Sequence, residues 1–335
     1  MNDFSLLQNT MRRALRTSGA DASTLVTVTL GALKNGVAAQ LAEIDEKATQ
    51  HILCEPSARN TAAAVAFAAE YVLRVFGEGA IMWILPADHH IEREDVLANS
   101  FQHALAAAKT GKLVTFGINP TRPDTGYGYI RVGEADASGK VHSVQQFVEK
   151  PDLTTAKSYL QTGEHLWNSG MFLFSAKSVV DHFATLSPKI LKDVRRAMEV
   201  AVLHPCTDIY NAIESQPFDK AIMEKSDQVA VVPCNPEWSD IGSWESLWDI
   251  RAKDSNNNVI EGRAACHNAK GCLIQSKDKL IAVAGIDNLV VVETEDALLI
   301  TNKSDNDSMK AMVTGLKKAG APEVSGFGNI APQAS

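Results

Sequence analysis

The sequence predicts an α/β fold with a small C-terminal β domain, and three observations predict it. Apolar, β-branched runs alternate with helical stretches between Leu25 and Gly117. Residues 81–85 are continuously apolar and bounded by Gly79 and Pro86, as suits a parallel strand covered on both faces. Beyond Asn256 the chain breaks into short, closely spaced strands with turn residues between them, the pattern of a compact all-β piece.

The elements follow in order. Residues 5–16 set Leu6, Leu7, Met11, Ala14 and Leu15 on one face with arginines opposite, an amphipathic opening helix. Residues 25–30 read as a strand and 32–44 as a helix; 51–54 form a short strand, and a turn at Glu55-Pro56-Ser57 leads into an alanine-rich helix over 60–76. After the central strand come a helix at 93–109, a strand at 112–117 and a loop at 119–128. Repeated strand and helix imply right-handed crossovers and a mostly parallel sheet. From Tyr127 the rhythm changes. Residues 129–132 and 141–148 read as a strand pair and 166–174 as another strand, an antiparallel lid beside the sheet. Helices fill most of 176–213 and 220–224, a strand occupies 228–232, and a helix is read at 245–252. Strands at 271–275, 280–283, 289–293 and 297–301 and a helix at 309–318 complete the reading.

With 335 residues, the chain can hold one large domain and an appendage. Residues 1–255 read as the main domain, 256–325 as a β-rich domain with a closing helix, and 326–335 as a loose tail. Charged residues make up 21%, hydrophobic residues 45%, and the net charge is -8. This acidic balance favours neither nucleic acid nor an anionic membrane as partner. Five scattered cysteines without a Cys-x-x-Cys pair indicate no disulfide framework, and a reducing cytoplasm fits. Cys266, His267 and Cys272 read as three metal ligands lack a fourth. The N-terminus carries no secretory pattern, and no stretch approaches a membrane span.

Dinucleotide-binding and P-loop glycine patterns are absent, as is the serine-hydrolase elbow. Two aspartates remain, Asp88 and Asp240, each beyond an apolar strand at a turn toward a helix. Two carboxylates on strand ends suit Mg²⁺, which takes one or two carboxylates plus substrate phosphate oxygens; the alternative is that each caps the helix after it. Residues 125–130, Thr-Gly-Tyr-Gly-Tyr-Ile, allow close backbone approach to a ligand, or form an ordinary turn whose glycines take positive φ. Glu149 and Lys150 put an acid and a base at a strand end, where an exposed charge pair is the alternative. Asn168-Ser169-Gly170 breaks an apolar strand, as a bulge or as an amide aimed at a polyhydroxylated ligand.

Six segments in this order resemble the mannose-1-phosphate guanylyltransferase (GDP-mannose pyrophosphorylase) family: residues 55–62, 85–89, 125–130, 147–151, 167–172 and 238–244, with residues 289–294 also similar. The resemblance implies a nucleotide-diphospho-sugar transferase (Rossmann-like) fold, a mixed sheet flanked by helices, and the reaction of GTP with mannose 1-phosphate to give GDP-mannose and pyrophosphate. It implies that Asp88 and Asp240 hold Mg²⁺, and that Glu55, Arg59, Asn60 and Thr61 lie near the nucleotide. Gly126, Tyr127, Gly128, Glu149, Asn168 and Gly170 would hold the sugar, with Lys150 facing its phosphate. A homo-oligomer is compatible with it. The same fold also serves other bases and sugars, and a non-catalytic nucleotide-sugar-binding relative would share these segments.

One departure from the family stands out. The family opens with a strand, a Gly-Gly-x-Gly-Thr-Arg phosphate loop and a Pro-Lys-Gln segment, whereas residues 5–8 here resemble the helix that follows them. Without that loop the triphosphate loses backbone N–H donors, and strands beside the missing one keep unpaired edges. This chain is therefore expected to be impaired in turnover. Longer family members carry a C-terminal isomerase domain, and no isomerase activity is expected of these residues.

Overall fold

The computed structural model describes residues 4–324 and divides into two compact units, Met1–Trp238 and Ser239–Ser335. The tail read at 326–335 lies outside the described residues. No helix among the described residues is long and apolar enough to cross a membrane.

The first unit opens with α1 (Leu6–Ser18), started by a capping box between Ser5 and Gln8 and stopped by left-handed Gly19. β1 (Val26–Leu30), α2 (Lys34–Ala42) and β2 (His51–Glu55) follow, and β1 and β2 pair in parallel as a sheet of their own. Next come α3 (Asn60–Phe76), β3 (Ile81–Ile84), β4 (His90–Ile91), α4 (Glu94–Ala108) and β5 (Leu113–Ile118). β6 (Tyr129–Ala135), β7 (His142–Val148), α5 (Leu153–Thr162) and β8 (His165–Ser175) lead to α6 (Ala176–Leu186), α7 (Pro188–Met198) and α8 (Thr207–Asn211). After a π-turn at Asp219–Met223 come β9 (Val229–Pro233) and β10 (Trp238–Ser239), where the units divide.

The main sheet has the order β3-β8-β5-β9-β7-β6, with β8 also touching β6. Only β5 with β9 is parallel; every other pairing is antiparallel. This corrects the mostly parallel sheet read from the alternation. The long β8 inserts antiparallel between β3 and β5, so the strands read as a separate lid belong to the sheet itself. β3 is corrected too: its one strand partner among the described residues is β8, and only Met82 of its four residues is fully buried. β2 and β3 contribute Leu53 and Met82 to the same core as α3, and each has one edge without a strand partner among the described residues.

β8 keeps β5 along one side but changes its other neighbour. Residues 172–175 pair with β3, and residues 165–167 pair with β6. Between the two halves Thr115 faces Phe172 and Gly117 faces Asn168, so two steps along β5 match four along β8. The extra residues form a bulge at Ser169-Gly170-Met171, with Gly170 at φ +71°, a value that only glycine adopts without cost. Gly117 lets the strands approach, since a Cβ there would lie 2.6 Å from Leu166 Cδ1.

One face of this sheet is covered by α3, α6 and α7, around buried Phe67, Phe174, Phe183, Tyr210 and Phe218. The other is covered by α4 through Leu97, Phe101 and Ala104. Each large side chain fully removed from water contributes about 1.5–3 kcal/mol. The α3 alanines Ala62, Ala63, Ala66 and Ala69 are wholly buried, so any larger residue there must push the neighbours apart.

The second unit has α9 (Trp244–Ile250), then β11 (Val259–Glu261), β12 (Ala264–His267), β13 (Leu273–Gln275), β14 (Ile281–Ala284), β15 (Leu289–Glu293), β16 (Leu298–Asn302) and α10 (Asn306–Ala319). β11, β13 and β15 stack in parallel, β12 stacks on β14, and β16 closes β15 antiparallel. β11 and β12 were not read from the sequence because they are three and four residues long and carry little periodicity. The buried Cys272 and half-buried Cys266 are free thiols, and no metal-binding group of three or more His, Cys, Asp or Glu occurs among the described residues.

The turn between β11 and β12 depends on Gly262, at φ +89°, where a Cβ would meet Ser276 O at 2.1 Å. We expect Gly262→Ala to destabilise the second unit by about 3 kcal/mol or more. Gly139→Ala, also at positive φ but in open space, should cost about 1 kcal/mol. Thermal unfolding of the two variants checks the contrast, and equal effects would contradict it.

Candidate active site

β3 carries the chain to Asp88, which is exposed. The capping alternative does not hold: α4 begins at Glu94 with Arg93 as its N-cap, beyond the short β4. The backbone on each side of Asp88 is tied to α1. Thr10 Oγ1 donates to Ala87 O at 3.3 Å, Arg13 Nη2 donates to His89 O at 3.3 Å, and Arg13 Nη2 also donates to Thr10 Oγ1 at 2.8 Å. Trp238 Nε1 donates to His89 Nδ1 at 3.0 Å. Arg13 is 3% exposed, and burial pulls its pKa below the ordinary guanidinium value. A buried cation is costly unless hydrogen-bonded, so α1 and the Asp88 loop hold one another in register.

The β8 bulge lies against the same loop: a Cβ on Gly170 would be 3.6 Å from Pro86 Cγ and 3.8 Å from His89 Cε1. Asn168, at the fork, is buried and fully oriented. Its Oδ1 accepts from Thr115 Oγ1 at 3.0 Å and Gly170 N at 3.3 Å, while its Nδ2 donates to Asp219 Oδ1 at 2.8 Å. Its backbone N–H donates to Gly128 O at 2.8 Å. Gly128 in turn makes room for an acid, since a Cβ there would meet Glu149 Oε2 at 2.6 Å and Asn168 Cβ at 3.4 Å. Neither Gly126 nor Gly128 takes a positive φ. The need for glycine at 128 is close approach, and the turn alternative fails there.

Around this point the 122–129 loop is braced by its own groups. Arg122 Nε and Gly126 N donate to the two oxygens of Asp124, and Tyr127 stands edge-on to Trp167 and Trp238 with centroids 5.0 and 5.3 Å away. Glu149 has a side chain only 10% exposed, with Lys150 Nζ 3.6 Å from its Oε1. Its backbone N–H donates to Glu224 Oε1 at 3.1 Å. Burial raises the Glu149 pKa, and the neighbouring Lys150 opposes that rise. Lys150 is itself exposed and holds φ +51°, a left-handed turn that a side chain adopts at a cost. Gly128, Glu149, Lys150, Asn168 and Gly170 are therefore brought together, with the Asp88 loop alongside.

The structure adds Asp219. Burial first, then the Glu149 charge, pushes its carboxyl up to about 7. The residue retains partial exposure, yet its carboxyl sits deep enough for desolvation to dominate. No motif in the sequence marks it, because its surroundings come from β7, β8 and its own π-turn.

Among the residues that the resemblance assigns to the nucleotide, Glu55 is buried and accepts from Tyr210 O–H at 2.8 Å; burial raises the pKa of both groups. Arg59 is half-buried with Nε unpartnered, Asn60 is exposed at φ +62°, and Asn60 Oδ1 accepts from Thr61 N. Thr61 Oγ1 accepts from Phe218 N at 2.8 Å, which ties this turn to the residue before Asp219.

Asp240 belongs to the second unit. Its Oδ1 accepts from Gly242 N at 3.0 Å, Ile241 stands at φ +49°, and α9 is capped by Ser243. Here too the carboxylate is not the cap.

Residues 1–257 match the Nucleotidyl transferase family, and residues 262–316 match the MannoseP isomerase/GMP-like beta-helix domain. A mannose-1-phosphate guanylyltransferase of Salmonella montevideo is 43% identical over 291 residues, covering 84% of this chain and 61% of that protein. One of Salmonella typhimurium is 40% identical over 323 residues, covering 94% and 66%. The chain thus spans about three fifths to two thirds of the length of these curated relatives. A solved structure from Thermus thermophilus, described as a mannose-1-phosphate geranyltransferase, superposes with a TM-score of 0.82 at 28% identity, covering 93% of this chain and 89% of that one. The mixed sheet, the β-helical piece and these matches over most of the sequence agree, and the chain belongs to the nucleotidyl transferase family.

Proposed function

We propose that this protein transfers a guanylyl group from GTP to mannose 1-phosphate, giving GDP-mannose and pyrophosphate. The observation that carries the reading is the meeting of Gly128, Glu149 and Asn168 at the fork of β8, beside the anchored Asp88 loop. A polyhydroxylated ring needs acceptors and donors held at fixed positions. The buried Glu149 carboxylate offers acceptors, and the Asn168 amide keeps one N–H beyond the one given to Asp219.

Lys150, exposed beside Glu149, supplies the cation for the sugar phosphate. That phosphate's oxygen attacks the α-phosphorus of the nucleotide in line, pyrophosphate leaves, and no covalent enzyme intermediate is needed. Orientation of the two substrates is the protein's main contribution. Arg59, Asn60 and Thr61 are inferred to lie along the nucleotide, a reading supported by the exposed left-handed turn they form. Glu55, committed to Tyr210, would act there only indirectly.

Asp88 and Asp240 are the inferred Mg²⁺ ligands. Asp88 is supported in the role by its exposure on the anchored loop after β3, and neither carboxylate is committed to capping a helix. When bound, the ion neutralises charge that develops on the phosphates. The setting inferred is the reducing cytoplasm, supported by five free thiols.

Calorimetric titration with GTP, UTP, dTTP, mannose 1-phosphate and glucose 1-phosphate, followed by assay of pyrophosphate release, tests this. GTP and mannose 1-phosphate should be the preferred pair. Preference for UTP or dTTP with glucose 1-phosphate would overturn it, as would failure to bind mannose 1-phosphate. Asp88→Asn and Asp240→Asn should each lower turnover about a hundredfold or more with the fold intact; unchanged turnover removes the metal role. Gly128→Ala should raise KM for the sugar phosphate about tenfold and leave that for GTP nearly unchanged, because the added methyl displaces Glu149.

A further inference from the structure

We propose that Asp219 is a positioning residue of the sugar-phosphate subsite, acting through the Asn168 amide and the Glu149 carboxylate to present a hexose 1-phosphate. The proposal deepens the function proposed above and rests on it for the ligand class.

The first support is hydrogen-bond arithmetic. Asn168 Oδ1 receives the Gly170 N–H and shares the one Thr115 hydroxyl hydrogen with Met171 O, and Nδ2 gives one hydrogen to Asp219 Oδ1. These partners fix which end of the amide is nitrogen and leave one N–H for a ligand acceptor. Without Asp219, the nitrogen end loses its anchor at the strand fork.

The second is the backbone. Asp219 opens a π-turn, Asp219–Met223, closed by Glu224 N donating to Asp219 O at 2.8 Å. Such turns are rare and concentrate at functional sites. Its surroundings are stitched to both groups of candidate residues. Ala62 N donates to Gln216 O and Phe218 N to Thr61 Oγ1 beside Arg59 and Asn60, while Glu224 Oε1 accepts from Glu149 N.

The third is charge. Glu149 at the end of β7 and Glu224 at the end of the π-turn face Asp219, and Lys150 and Lys220 face Glu149. With its carboxyl pushed up to about 7, Asp219 is largely protonated below neutrality. Above neutrality it adds a negative charge next to Glu149, where an anionic ligand must approach.

Binding of mannose 1-phosphate to the full chain, followed by calorimetry from about pH 6 to about pH 8.5, tests the assignment. Asp219→Ala should weaken binding about tenfold and leave GTP binding within about twofold. Asp219→Asn keeps an acceptor for Asn168. It should bind within about threefold of wild type near pH 6 and lose the extra fall in affinity that wild type shows above pH 7. The ligand's own titration is common to both proteins, so their difference reports Asp219.

Thermal unfolding gives a readout that needs no ligand. The folded Asp219 holds its proton up to about pH 7, the unfolded one only to about 3.8. The stability linked to that proton is complete below the unfolded value and lost as pH rises through the folded one. Wild type should therefore lose several degrees of Tm relative to Asp219→Asn between about pH 5 and about pH 8. Equal binding by wild type and Asp219→Ala, or parallel pH curves for wild type and Asp219→Asn, would overturn the role of Asp219 alone. If wild type binds no mannose 1-phosphate, the functional reading falls and takes the ligand class with it.

Discussion

A β-strand has two edges, and β8 satisfies three neighbours with them. It holds β5 along one edge and divides the other between β3 and β6. A continuous ladder cannot do this, because β3 and β6 cannot occupy the same edge at the same height. The bulge at Ser169-Gly170-Met171 is the geometric solution, and it leaves a stretch where backbone and side-chain groups need partners other than a ladder. Ser169 Oγ, for example, is buried and donates to Phe116 O at 2.7 Å. Asn168 is the other polar side chain there, and its amide is the one with a donor still to offer. The site is thus a consequence of the fork in the sheet.

Fixing the loops around that fork requires support from elements distant in sequence. The loop after β3 is pinned by α1, the loop before β6 by its internal Arg122–Asp124 pair and aromatic contacts, and the end of β7 by Glu224. Each tether is modest, about 1 kcal/mol net for a neutral hydrogen bond. Leaving the same buried groups unpaired would cost more than that. The penalty for misplacing a loop therefore exceeds the gain from any single bond, which is how weak contacts hold a site to narrow tolerances.

Much of the fold was legible because it obeys local rules. α1 carries its capping box and stripe, and α3 and α4 announce themselves by periodicity. The sheet was not legible in the same way. Strand direction is set by which partner offers a free edge, and no periodicity in residues 81–85 distinguishes a covered parallel strand from an antiparallel edge. Of the site, glycines and polar breaks inside apolar strands were visible as local anomalies: Gly128, Glu149, Asn168 and Gly170. Asp219 was not, since its surroundings come from β7, β8 and its own π-turn. A residue whose chemistry is created by packing leaves no mark on its own sequence neighbourhood.

The acidity around the β8 fork follows from the same packing. Glu149, Asp219 and Glu224 lie on two elements that converge because Thr61, Asn168 and the Glu149 backbone each need a partner. Glu149 and Asp219, both charged and partly buried, would repel each other beside the exposed Glu224 and also lose solvation. Two features relieve this. Lys150 lies beside Glu149 on an exposed left-handed residue, so its charge offsets repulsion while its ammonium stays in water. Asp219, the carboxyl whose desolvation dominates, responds by keeping a proton to near neutrality. The protonated acid costs less to bury and still accepts from Asn168 through its carbonyl oxygen. A carboxyl near its midpoint can therefore serve as an orienting group for Asn168 without fixing a full negative charge beside Glu149.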